Sequence, residues 1–591
     1  MAAHFTFTPT PASIPPSNVV YRLKDSPNAS VNSHPLNPLD FILRAAQIYP
    51  DKVALVHPNV EYPVQYTFAV WAQRIQNLAY ALIRAGVKPG DRVAVIAPNS
   101  PLIADAHHGV IAARAVLTPI NTRLKPSEVA YILEHSGSSI ILVDYEYTHL
   151  IPPGTRVPVI VSKDTGRADD PYETLLAEGR RFSEEKSWGG LVAEPDENAG
   201  AVLCYTSGTT GRPKGVITTL RGEYVELSLL LLTEVASTGL GSYLAAIANA
   251  FECQILPMFH AAGWTFPWSN VFAFAKQARF SLKLFSYSFL NVTTEDHAQD
   301  RKLHADMEPL PPFRRDTLLR STYSPTRRLP QNVTAVIAGA APTAHLIAEL
   351  ENIGFKPVHV YGLTSVTYGP FTRNYDQPHW ENLSLEERAR LMARQGQAFA
   401  TALGVRVVLP PADDDKNPVL RDVPRDGKTV GEIVTRGNIV MKEYFRDPEA
   451  TRKAFHGGYF RSGDLAVMHP DGTIAVVDRS KDIIISGGEN ASSLAIELEL
   501  ASHPHVLEVC AVARPHPKWG ERPMAFVILH PQHANKWAGR HHEFAKDLKE
   551  HARTRLPGFA CPEWVEVVPE LPKTSTGKIL KTELRKIVVK L

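Results

Sequence analysis

Phe68, Trp71, Ile75, Leu78 and Leu82 recur three or four positions apart, which places them on one face of a helix, and Thr67 just before them is positioned to cap it. Short apolar runs at 53–56, 93–96, 116–120, 140–144 and 201–204 read as buried strands. Helices are predicted over 39–46, from about 102, and after Pro126-Ser127-Glu128. Strands alternating with helices imply a parallel α/β core. Residues 164–198 are polar and predicted to be loop-rich, and 276–330 show too little periodicity to assign elements. Order returns with a strand at 333–337, a helix to about 352, a strand at 357–364, a β-rich stretch at 428–440 and a strand at 474–477. After a charged run at 478–482 the chain reads as a separable α+β unit. It has a helix at 494–502, strands at 506–513 and 524–529, a helix near 543–554, a strand at 564–568 and a basic tail.

The strand at 201–204 runs into Tyr205-Thr206-Ser207-Gly208-Thr209-Thr210-Gly211-Arg212-Pro213-Lys214-Gly215. Glycines let a backbone approach an anion and expose N–H groups, hydroxyls donate to phosphate oxygens, and the two cations neutralise charge. The segment is therefore expected to fold over a polyphosphate. It is not a Walker A loop, because Pro213 precedes the lysine and Gly215 follows it. The same composition suits a flexible linker, a reading that the preceding strand and the adjacent cations disfavour.

At 591 residues the chain is long enough for three or four units grouped into lobes. A hydrophobic content of 44% and a net charge of +2 give no reason to expect a nucleic acid partner. Cys204, Cys253, Cys510 and Cys561 are far apart and read as free thiols of a reducing compartment, so no metal cluster is expected. No secretory signal or membrane span is predicted, and residues 1–37 read as a loose leader. Val589-Lys590-Leu591 matches the Ser-Lys-Leu peroxisomal address at two of three positions, so the expected location is soluble and intracellular, cytoplasmic or peroxisomal.

The order of the later motifs resembles the adenylate-forming enzymes, a group that includes acyl-CoA synthetases, peptide-synthetase adenylation domains and firefly-type luciferases. The likeness extends over most of 38–591 and is closest to short- and medium-chain acyl-activating enzymes of fungi and plants. It implies an α/β fold: a large N-terminal lobe of parallel and mixed sheets with helices (38–480), a hinge at Lys481, and a small mobile α+β C-terminal lobe (482–591). It also implies an ATP-dependent acyl-CoA ligase whose substrates are a small carboxylic acid, ATP with Mg2+, and CoA; a carrier-protein thiol is the other acceptor the likeness allows. By this resemblance Thr206, Ser207, Gly208, Thr209, Thr210, Gly211 and Lys214 hold the β- and γ-phosphates. Leu256-Pro257-Met258-Phe259-His260 lines the acyl pocket. Gly339, Ala340, Ala341 and Pro342, with Tyr361, Gly362, Leu363 and Thr364, bind adenine. In Arg461-Ser462-Gly463-Asp464 the aspartate holds the ribose hydroxyls, joined by Arg479. Gly487 and Gly488 flank the pantetheine tunnel, and Lys578 in Pro572-Lys573-Thr574-Ser575-Thr576-Gly577-Lys578 bridges the carboxylate and the α-phosphate.

Two departures modify this picture. The family's Mg2+-binding glutamate after Tyr-Gly-x-Thr is replaced by Ser365, leaving Thr206 as the metal's hydroxyl and implying weakened Mg·ATP binding or a catalytically impaired nucleotide-binding relative. Segments 223–240 and 277–326 depart from the family's pattern and read either as divergent sequence or as translated intron or out-of-frame sequence.

Overall fold

The computed structural model describes residues 7–24, 34–58, 60–183, 186–206, 212–225, 251–254, 258–260, 268, 271, 276–279, 289–294, 333–338, 342–352, 354–364, 370–399, 402–410, 419–573 and 579–590. Arg92–Ile96 is an interior strand of a seven-stranded sheet, parallel to Val116–Pro119 on one side and Ile140–Asp144 on the other. Val159–Ser162 and Gly200–Tyr205 extend it in parallel, which is the expected α/β core. Gly215–Thr219 then turns back antiparallel to Gly200–Tyr205, and Glu443–Tyr444 closes that edge.

A nine-stranded mixed sheet carries Val333–Ala338 parallel to Phe355–Gly362. Within 276–330, where periodicity predicts nothing, Lys276–Arg279 and Phe289–Thr294 are strands of this sheet. Lys276–Arg279 is a polar sequence held between Val53–His57 and Phe251–Gln254, so its neighbours rather than its own pattern determine its conformation. A four-stranded antiparallel sheet runs Gly404–Val408, Gly431–Arg436, Phe460–Met468 and Ile474–Arg479. The small lobe pairs Val506–His516 with Gly520–Leu529 and covers this hairpin with helices.

The helix Phe68–Arg84 is buried along almost its whole length, and Thr67 caps it by accepting the Val70 N–H. Its Arg74 forms ion pairs with Asp105 at 2.9 Å and Glu173 at 2.8 Å, all three side chains buried. Glu173 belongs to the helix Pro171–Ser183, which corrects the loop-rich reading of 164–198. That helix approaches so closely that a Cβ on Gly179 would lie 1.9 Å from the Asn77 carbonyl oxygen. The basic tail is likewise a helix, Lys581–Lys590, with Leu584 and Val588 packed into the core of the small lobe. Tyr224, near the start of the atypical 223–240 segment, stacks on Phe41 at 4.7 Å, and Thr218 donates to Glu223 at 3.2 Å. Residues 226–240 lie outside the described residues.

One buried carboxyl of the parallel sheet gives the fold a pH dependence. Asp144 accepts the Glu146 N–H at 3.0 Å, and burial pushes its carboxyl up to about 7. Because the folded value exceeds the unfolded one, its contribution to stability is complete below about pH 4 and is lost as pH rises toward 7. Asp144→Asn keeps a cap oxygen without the charge. Wild type is expected to lose roughly 2 kcal/mol between pH 5 and pH 7.5 that the variant keeps, read as a melting-temperature difference of a few degrees.

Candidate active site

The polyphosphate-type loop joins two adjacent antiparallel strands, Gly200–Tyr205 and Gly215–Thr219. Its base is closed where the Thr206 N–H donates to the Lys214 carbonyl at 3.0 Å. The Lys214 ammonium is exposed, 4.8 Å from the centre of the Tyr444 ring and 3.9 Å from Asp447. Ser207, Gly208, Thr209, Thr210 and Gly211 lie outside the described residues, as do Gly339, Ala340, Ala341, Ser365 and Lys578.

Just beyond Lys214, Val216 enters a core shared with Phe371, Ile433, Phe460 and Ala466, against which Tyr361 and Leu363 pack. This core draws the three sheets of the large lobe together behind the motifs. Tyr361 packs edge-to-face with Phe371 at 5.0 Å between ring centres and donates its hydroxyl to Asp464 Oδ2. Arg479, the cross-strand partner of Asp464, forms an ion pair with it, Nε lying 3.1 Å from Asp464 Oδ1. Burial first, and the Asp464 charge second, push the Tyr361 hydroxyl well above its ordinary range, so it remains a donor. Among the described residues the Tyr361 hydroxyl is the side-chain hydrogen-bond donor to Asp464, so both carboxylate oxygens keep acceptor capacity. Pro342 is buried, and Gly362 and Thr364 are half-buried at the end of the Tyr361 strand. His260 follows buried Met258 and Phe259, and the Met258 N–H donates to Asn99 at 2.8 Å, just beyond the C-terminal end of Arg92–Ile96.

A residue not singled out from the sequence organises the aspartate turn. Glu432 accepts from the Gly463 N–H at 3.0 Å and from Arg461 Nε at 2.9 Å. Gly463 has φ +72°, and Ser462 accepts the Asp464 N–H at 3.1 Å. The available signal is a carboxylate directly before the apolar pair Ile433-Val434, which must find partners if buried.

Around the expected hinge, Asp478 accepts the Ser493 N–H at 2.6 Å and the Ser493 hydroxyl at 2.8 Å, while Arg585 donates to Asp482 at 2.7 Å and to the Lys481 carbonyl at 3.2 Å. Gly487 and Gly488 form the exposed tip between Ile484–Ser486 and Glu489–Ala491 with φ of +65° and +88°, a backbone that disfavours side chains. A Cβ at Gly487 would meet the Trp519 ring at 2.9 Å. Lys573 and Ile579, which flank 574–578, are bridged to each other, and Lys581 beyond them pairs with Glu497 at 2.8 Å.

Among the described residues, His503, His505 and Asp547 bring metal-ligating atoms within 4.8 Å of one another. The His505 N–H donates to His503 Nδ1 at 3.1 Å, and the Trp537 indole N–H donates to His505 Nδ1 at 3.0 Å. Both neutral rings therefore carry their proton on Nε2, which suits hydrogen bonding, as from His503 to Asp547 at 3.2 Å, rather than metal ligation.

Comparison with known proteins agrees with this geometry. The AMP-binding enzyme profile matches residues 42–445, and the profile of the AMP-binding enzyme C-terminal domain matches 495–578. The chain is 37% identical over 582 residues to a peroxisomal acetate/butyrate–CoA ligase of Arabidopsis thaliana, covering 95% of this chain and 96% of that one. It is 34% identical to a peroxisomal benzoate–CoA ligase of the same plant, covering 94% of each. The fold is similar to that of o-succinylbenzoate CoA synthetase from Bacillus subtilis solved with its acyl-adenylate intermediate, with a TM-score of 0.67 at 23% identity over 92% of this chain and 97% of that one. Two profiles in series, relatives matched along nearly their whole length and the two-lobed fold lead to one conclusion: this chain belongs to the AMP-binding, adenylate-forming enzyme family.

Proposed function

We propose that this chain is an AMP-forming acid–CoA ligase. In the first step a carboxylate oxygen attacks the α-phosphorus of ATP, a new P–O bond forms, and the bond to the β-phosphate bridging oxygen breaks to release pyrophosphate. In the second, the CoA sulfur attacks the acyl carbonyl carbon, a C–S bond forms, the bond from that carbon to the AMP phosphate oxygen breaks to release AMP, and the thiol proton passes to solvent. The reading rests above all on the Asp464 carboxylate, held by the Tyr361 hydroxyl and the Arg479 guanidinium with acceptor capacity left on both oxygens, a match to the two vicinal hydroxyls of a ribose.

Lys214, Thr206, Ser207, Gly208, Thr209, Thr210 and Gly211 would hold the leaving pyrophosphate, whose charge grows as the bond breaks. Gly339, Ala340, Ala341, Pro342, Gly362 and Thr364 would frame the adenine. His260 would border the acid, Lys578 would draw the carboxylate and α-phosphate together, and Gly487 and Gly488 would pass the pantetheine arm. The small lobe would turn about Lys481 between the steps. CoA is favoured as acceptor because the full-length relatives are CoA ligases. Those two relatives are peroxisomal, which favours that compartment here. No helix among the described residues is long and apolar enough to cross a membrane.

At the two positions where the resemblance expects the metal's protein ligands the sequence has Thr206 and Ser365, neutral hydroxyls where a hard cation favours carboxylate. They fit the ion poorly, so no step is assigned to it, and Ser365 favours a second reading, a relative that binds nucleotide but adenylates slowly. Ser365→Glu is expected to lower the Mg2+ concentration giving half-maximal pyrophosphate release by about tenfold, as a hard carboxylate ligand would. An unchanged Mg2+ titration would remove Ser365 from the account. The function itself is tested by pyrophosphate release from ATP with a panel of aliphatic, hydroxy and aromatic acids, with and without CoA. ATP binding without acid-dependent release would select the second reading.

A further inference from the structure

The helix Pro126–Ser136 reaches the phosphate loop at both ends, and nothing in the loop's own sequence predicts this. At the entry, His135 Nδ1 lies 2.8 Å from the Tyr205 hydroxyl. At the exit, one helical turn away, the Tyr131 hydroxyl donates to the Pro213 carbonyl at 3.3 Å, and the Arg212 guanidinium lies 5.3 Å from the Tyr131 ring centre. Positions 131 and 135 share one helix face, so a single rigid surface holds Tyr205 and Arg212-Pro213, the residues on either side of the turn.

The helix is itself held from behind. Arg92 donates to the Ser136 carbonyl at 2.7 Å and the Gly137 carbonyl at 3.0 Å, and Arg446 donates to the His135 carbonyl at 2.9 Å. These guanidinium groups satisfy carbonyls at the helix C-terminus, where cations are favoured. Arg446 reaches His135 from a backbone φ of +57°, uncommon for a residue with a side chain. It follows Phe445, whose N–H donates to the Gly215 carbonyl at 2.8 Å. The strained arginine thus ties the loop's exit strand to the helix that grips the loop.

We propose that Tyr131 and His135 are positioning residues for polyphosphate: they fix Tyr205 and Arg212-Pro213 at the two ends of the loop and so determine where the adjoining Thr206 and Lys214 stand before ATP arrives. The proposal rests on reading the loop as a phosphate cradle. Neither side chain is assigned a contact with substrate. A preorganised cradle is favourable because the ordering entropy is already spent when the anion binds.

AMP lacks the β- and γ-phosphates, so a loop-positioning role must separate ATP from AMP. Calorimetric titration of the full chain with ATP, pyrophosphate and AMP tests this in wild type, Tyr131→Phe, His135→Ala and His135→Gln. Tyr131→Phe keeps the ring against Arg212 and removes only the hydroxyl, so it preserves packing. We expect Tyr131→Phe and His135→Ala each to weaken ATP and pyrophosphate by about fivefold, the scale of one hydrogen bond, with AMP unchanged. His135→Gln, which retains an acceptor, is expected to recover most of the loss. Parallel weakening of ATP and AMP would show a merely structural role and overturn the proposal, as would unchanged ATP binding in both variants. ATP binding by wild type without pyrophosphate release would overturn the ligase reading alone.

Discussion

Replacing Asp464 with alanine is expected to weaken AMP and ATP binding together by about 100-fold or more, since two hydrogen bonds to a charged acceptor contribute about 3–4 kcal/mol. The carboxylate is buried and its two oxygens are turned to fixed directions by Tyr361 and Arg479. Neither partner can itself replace it: both are donors, and a ribose diol binding in that place also donates. Alanine would in addition leave the buried Tyr361 hydroxyl and the Arg479 guanidinium without their carboxylate, raising the cost of desolvation. A cycle with 2′-deoxy-AMP separates these effects. Wild type should bind deoxy-AMP about tenfold more weakly than AMP, whereas Asp464→Ala should bind the two alike. If the variant discriminates between them as wild type does, the aspartate does not read the ribose and only braces the turn.

Much of this site was legible because its chemistry is local. The loop from Tyr205 to Gly215 combines residue types that suit an anion whatever surrounds them, and the strand before it, 201–204, carries an uninterrupted apolar signal. The helix Phe68–Arg84 was legible for the same reason, with a cap and a regular apolar face. Long-range pairing hid the rest. Pro171–Ser183 reads as polar because its buried Glu173 is neutralised by Arg74, almost a hundred positions earlier. Lys276–Arg279 has no strand pattern of its own and is fixed by the strands on both sides. Lys581–Lys590 reads as a basic tail because only Leu584 and Val588, four positions apart, face inward. Glu432 and the Tyr131–His135 pair were missed for a related reason: each acts through a neighbour brought close only by the fold.

Lys578→Ala is expected to slow pyrophosphate-forming adenylation by about 1,000-fold while slowing transfer from supplied acyl-AMP to CoA by less than about tenfold, as for a single donor aimed at developing charge. The first step brings a carboxylate toward an anionic α-phosphate, and only a cation between them offsets that repulsion. In the second step the attacking atom is sulfur and the electrophile is a carbonyl carbon already activated by AMP, so the same ammonium has less to do. The surroundings should survive the change. The ends of the segment are held by the Lys573–Ile579 bridge and by the Leu580 N–H donating to the Pro572 carbonyl at 2.8 Å. Its neighbours Lys573 and Lys581 are anchored to Glu508 and Glu497. Lys581→Met is the contrasting variant, because it leaves Glu497, a half-buried carboxylate, without its cation and should destabilise the small lobe by about 2 kcal/mol. Lys578→Ala should therefore lose one half-reaction at an unchanged melting temperature, whereas Lys581→Met should lose stability and both half-reactions together. Equal losses of both half-reactions in Lys578→Ala would mean that this lysine does not distinguish the two chemical steps.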